Sequence, residues 1–150
     1  MAISPNTDFT AGAILTATQQ NQFPRGVMAL AIRNTNYAPT TVISDFATVT
    51  FTAVANRYYR YSLYTPGADS SAPILMTITL TDSAGTTEYN NFTQSIRGPG
   101  LLDSFSLMTV RTETAGSVTR KIRMVTSAGN ASMCSATSIG YLLVEDLGPA

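Results

Sequence analysis

The chain has no histidine and no tryptophan, a single cysteine, and only 12% charged residues across 150 positions. Each shortage excludes a chemistry. Without histidine there is no imidazole general base, no Ser-His or Cys-His nucleophile and no histidine metal ligand. One cysteine can form neither a disulfide within the chain nor a thiolate zinc cluster. Nine Lys+Arg balance nine Asp+Glu, so no long-range field draws nucleic acid or an acidic substrate to the surface. No stretch reaches the roughly 18 apolar residues of a membrane span, and the opening residues lack a basic region followed by an apolar run. The chain is therefore expected to be neither membrane-embedded nor conventionally secreted. Cys134 has no adjacent basic residue to activate it and reads as a small, reduced, partly buried side chain.

Hydroxyls stand where charges are missing: 23 threonines and 14 serines accompany 18 alanines. Threonine is β-branched and tolerates both packing and hydrogen bonding, which suits antiparallel strands with one wet face. The charged fraction lies well below the roughly 25–35% suited to a free soluble surface. Packing into a larger assembly is the expected reason.

Along the chain, residues 1–25 read as an N-terminal attachment arm and residues 26–150 as one β-sandwich domain. Thr16 is placed to cap a short helix from Ala17 to Gln22, which Pro24 and Gly26 would end. Two turns cannot hold themselves together in water, so such a helix must dock. From Gly26 onward the hydrophobic period is two. Strands are expected at Val27–Arg33, Phe46–Val54, Arg57–Tyr64, Ile74–Leu80, Thr86–Thr93, Leu101–Val110, Val118–Val125 and Tyr141–Val144, with Thr41–Ser44 as a short edge. Val49 and Phe51 share one face while Thr48, Thr50 and Thr52 share the other. Asp82–Gly85 predicts a hairpin turn, and Glu113–Gly116 is flanked similarly. Pro66–Gly67 and the following small residues read as a surface loop. Many short strands without helical crossovers give an all-β, antiparallel, jelly-roll-like sandwich. An immunoglobulin-like sandwich is the alternative, without its usual tryptophan and disulfide.

No residues assemble into a catalytic set, a metal site or a cofactor cradle. The carboxylates show no spacing that selects an acid–base pair. Arg97–Gly100 lacks the strand-to-helix context of a phosphate loop. The densest recognition signal is the run from Arg57 to Tyr64. Its alternation sends Tyr59 and Tyr61 to one face, and Tyr58, Arg60 and Tyr64 to the other, which suits a core plus a subunit interface. Stacking on a glycan or a base are the other readings. Arg120, Lys121 and Arg123 form the main basic concentration but alternate between faces, as in a solvated, ion-paired strand.

Three segments, Thr10–Gly26, Val49–Arg57 and Gly140–Pro149, resemble tailed-bacteriophage virion structural proteins of the head-decoration, minor-tail or fibre-associated kind. The resemblance implies a non-enzymatic capsid decoration (cement) protein, assembled in the host cytoplasm and carried on the capsid or tail surface. It implies contacts to the major capsid protein or a tail component through Ile14, Leu15, Gln19, Asn21 and Phe23, with Tyr58, Arg60, Arg120 and Lys121 as further assembly contacts. Association with itself, as a homotrimer, is expected because symmetry covers sheet edges and apolar patches. The alternative is a tail-fibre or minor-tail module whose loops at Tyr64 and Asp69 touch a host glycan. Neither a membrane nor nucleic acid is an expected partner.

Overall fold

The computed structural model describes Ile14, Thr16, Ala17, Gln20 and residues 23–150. Nine strands follow one another: β1 (Gly26–Arg33), β2 (Ser44–Ala53), β3 (Arg57–Ser70), β4 (Ile74–Thr81), β5 (Glu88–Ile96), β6 (Asp103–Thr112), β7 (Gly116–Thr126), the two-residue β8 (Ala131–Ser132) and β9 (Gly140–Pro149). They form two antiparallel sheets, ordered β1-β9-β3-β6 and β2-β7-β4-β5, with β8 paired to the far end of β3. The chain is a jelly-roll-like β-sandwich.

Strand alternation builds the core. The inward residues of β2, Phe46, Val49 and Phe51, meet Tyr59, Tyr61 and Leu63 of β3, and the second sheet adds Met76, Ile78, Leu80, Ile122 and Met124. Phe51 sits with its ring centroid 5.1 Å from that of Tyr59. Burying such side chains contributes roughly 1.5–3 kcal/mol each. On the outside of the second sheet, threonines pair across strands, Thr50 with Thr119 and Thr77 with Thr93, each at 2.8 Å.

Of the helix expected from Ala17 to Gln22, Ala17 and Gln20 are helical and the Gln20 N–H donates to the Thr16 carbonyl at 3.0 Å, while the other residues of that span lie outside the described residues. Two expectations need correcting. The β3 strand does not end at Tyr64. It continues through Pro66 and Gly67 to Ser70, because its register against β6 slips between Thr65 and Ala68 and the bulge absorbs the proline. β6 and β7 are not a hairpin: β6 pairs with β3 in one sheet and β7 with β2 and β4 in the other. The Glu113 connection therefore crosses between layers. The Asp82 turn does join a hairpin, closed by Asp82 N–H to Thr87 and Gly85 N–H to Asp82.

Candidate functional site

The register of the first sheet fixes which side chains share its outer face. Leu30 of β1 stands opposite Leu143 of β9, Leu143 opposite Ser62 of β3, and Ser62 opposite Met108 of β6. One row along, Ile32, Tyr141, Tyr64 and Ser106 are aligned. On the other side lie Val27, Glu145, Arg60 and Val110. Residues of the opposite parity, such as Ala31, Leu142 and Leu63, point into the sandwich, where Leu142 and Leu63 are buried. A solvated outer face would carry polar side chains. Here Met108 is 65% exposed, Ile32 60%, Leu30 52% and Val110 49%.

Val27, Tyr64 and Ile139 are also exposed, so large apolar side chains gather on this face instead of being scattered singly. The face is uneven. At its β1/β9 edge, Leu30, Ile32, Ile139, Tyr141 and Leu143 line an apolar groove of about 280 Å³. Tyr64 and Tyr141 lie side by side, with ring centroids 5.8 Å apart. The face's charges neutralise each other: Arg60 donates from Nε and Nη2 to Glu145 Oε2 at 2.9 and 2.7 Å.

Other charged groups are also paired. Arg57 donates twice to Asp146, at 2.6 and 2.8 Å, and a third time to the Phe23 carbonyl at 2.5 Å. The Arg57 and Asp146 side chains are 4% and 0% exposed. Glu113 accepts from Tyr61 Oη at 2.6 Å and pairs with Arg111 and Arg120, whose guanidinium groups lie over the Tyr89 ring. Burial, and then this carboxylate, push the Tyr61 hydroxyl far above its ordinary range. Asp45 takes both Lys121 and Arg123, at 2.7 and 3.1 Å; the Lys121 hydrogen bond leads the causes holding its carboxyl low. Burial pushes the Cys134 thiol upward. Among the described residues, no group of three or more Cys, Asp or Glu is placed to hold a metal ion, and no helix is long and apolar enough to cross a membrane.

The residues singled out from the sequence fall in several places. Tyr58, Arg60 and Tyr64 share the outward parity of β3. Arg120 turns to Glu113 and Lys121 turns outward to Asp45, so they occupy opposite faces of β7. Ile14 is 92% exposed and Phe23 is 38% exposed. Leu15, Gln19 and Asn21 lie outside the described residues. Asp69 sits toward the other end of β3 from Tyr64, beside a groove lined also by Ser71, Pro99, Asn130 and Ser132. Its Oδ1 accepts from the N–H groups of Ser70 and Gly100 at 2.8 and 3.2 Å, fixing a loop. Leu30, Ile32, Met108, Val110 and Leu143 were missed as face residues. Their signal was present in Tyr141–Val144, where apolar residues occupy both parities of one strand, as expected when both sides are covered.

No known protein-family model matches the chain, and no curated protein matches it. Solved structures do share its fold. A chain in the structure of infectious bursal disease virus, Gx strain, overlays with a TM-score of 0.50 and 16% identity, covering 83% of this chain. This chain spans about a third of that one's length, 32%. Murine APRIL overlays at a TM-score of 0.46 and 8% identity, covering 82% of this chain and all of its own. A tailspike domain of bacteriophage CBA120 overlays at 0.37 and 15% identity, covering 81% of this chain and 19% of that one. These findings correct the expected kinship with tailed-bacteriophage virion proteins, and with it the decoration and tail-fibre assignments. Of the three, the overlay that reaches a TM-score of 0.50 is with an infectious bursal disease virus chain and not with a tailed-bacteriophage one. At such identities the likeness establishes the sandwich and nothing about its role, and we conclude that this chain is a jelly-roll-like β-sandwich with an unpaired apolar sheet face.

Proposed function

We propose that the chain is a non-catalytic structural subunit that associates with copies of itself by burying the outer face of the β1-β9-β3-β6 sheet, with three copies as the preferred number. The observation that carries this reading is the gathering of exposed Val27, Leu30, Ile32, Met108 and Val110 on one sheet face, the kind of apolar surface that marks an interaction site. Arg60 and Glu145 neutralise each other, so the face demands no oppositely charged partner, and the pair can stay in water while a second copy covers the apolar residues around it. The low charge of the whole chain favours a crowded multi-subunit setting such as the surface of a virus particle or an extracellular assembly. Residues 1–25 would extend this contact as an attachment arm.

Sedimentation of the purified chain tests the proposal. Wild type is expected to run as an oligomer at tens of micromolar. Leu30→Glu, on the edge strand and half exposed, is expected to dissociate it with an unchanged circular dichroism spectrum. Burying that carboxylate costs several kcal/mol, and each 1.4 kcal/mol is about tenfold in affinity. A monomeric wild type, or a Leu30→Glu variant that associates as tightly as wild type, would refute the reading.

A further inference from the structure

The apolar face has different shapes at its two edges. The β1/β9 edge holds the groove lined by Leu30, Ile32, Ile139, Tyr141 and Leu143. At the β6 edge, Met108 and Val110 project, 65% and 49% exposed. Strands β1 and β6 are separated by three interstrand steps, about 14 Å, so projection and groove of one chain cannot meet. Methionine is unbranched and flexible and fills irregular apolar gaps well.

Resting on the self-association proposed above, we propose that Met108 of one copy enters the groove of the next, so that copies join head to tail into a closed ring. Two arrangements could bring projection and groove together. A two-fold face-to-face dimer would do so twice, but it would press the centre of the face, the Arg60–Glu145 pair, against its own copy. The two charges would lose their water without gaining a new partner, which costs more than the existing attraction returns. In a head-to-tail ring the contact lies at the edges, and the charged pair stays beside the open axis. Repetition of one unlike contact closes a ring when the rotation permits.

Disulfide trapping distinguishes these arrangements. Met108→Cys and Ile32→Cys are substitutions at exposed positions, and a bond forms only when the two Cα atoms come within about 7 Å. The inference expects each single variant alone to stay uncrosslinked under mild oxidant. A mixture of the two singles should give covalent dimers, and the double variant should give covalent species larger than a dimer. Self-crosslinking of Met108→Cys, or a double variant that stops at dimer while wild type sediments as an oligomer, overturns the ring and leaves self-association standing. A monomeric wild type overturns both. The native Cys134, buried in the sandwich, is controlled by oxidising wild type in parallel.

Discussion

Removing one side of the Arg57–Asp146 pair should be among the most damaging single changes in the fold. In Arg57→Met, Asp146 loses two charge-assisted hydrogen bonds and keeps the Gly148 N–H at 2.8 Å. Its carboxylate is fully buried, so water cannot replace what is lost. The Phe23 carbonyl also loses its guanidinium donor. Breaking a buried pair from one side costs about 3–5 kcal/mol. For a chain of this length that lowers Tm by roughly 6–20 °C, at about 2–4 °C per kcal/mol. The double variant Arg57→Met/Asp146→Leu leaves no orphaned charge and should recover most of the loss, since apolar replacement of a buried pair is often neutral. Urea unfolding of wild type, both singles and the double forms a mutant cycle with an expected coupling of more than about 2 kcal/mol. The cycle must be repeated across protein concentrations, because association makes stability concentration-dependent. A single variant costing under about 1 kcal/mol, or a double variant as unstable as the summed singles, would refute the argument from trapped charge.

Two further predictions follow from local geometry. The Thr86 backbone N–H, bonded at 2.9 Å, leads the causes that hold the Asp82 carboxyl at about 2 against a usual 3.8. Its stabilising effect is therefore complete above the usual value and lost as pH falls toward 2. Wild type and Asp82→Ala should differ in urea midpoint at neutral pH and converge below about pH 2, and a pH-independent difference would count against the turn carboxylate. At Gly140, an added Cβ would lie 2.8 Å from Phe46 Cζ and 2.9 Å from Cys134 Sγ. Gly140→Ala should cost about 1–3 kcal/mol by overpacking, and calorimetry showing an unchanged Tm would contradict that fit.

The strands were legible because their pattern is local. Phe46–Ala53 alternates aromatic or aliphatic residues with threonine, and the structure puts the two sets on opposite faces. The Asp82 turn was legible because an aspartate cap and a glycine with φ of 76° are written in four consecutive residues. Which strands share a sheet was not legible. Asp103–Thr112 and Gly116–Thr126 carry ordinary strand patterns, yet the connection at Glu113 crosses between layers because Arg120, Tyr61 and Arg111 converge on that carboxylate from three strands. Such convergence depends on contacts far apart in sequence. The apolar face was hidden for the same reason. Leu30, Leu143 and Met108 belong to three strands whose order no local pattern states, and only the register places them in one row.

The position of β9 bears on how the protein is made. The last of the nine described strands in chain order, β9 is an interior strand of its sheet, hydrogen-bonded to β1 on one side and β3 on the other. Until Gly140–Pro149 has left the ribosome, β1 has no strand to pair with in that sheet, and β3 lacks one of its flanking partners. At about 5–20 residues per second the nascent chain spends several seconds with its early strands waiting. The second sheet has all four of its strands by Thr126 and can pair before the first is complete. The outer apolar face then comes into existence in a single late step, so a ribosome-bound or truncated chain presents no finished surface on which a mature copy could be trapped.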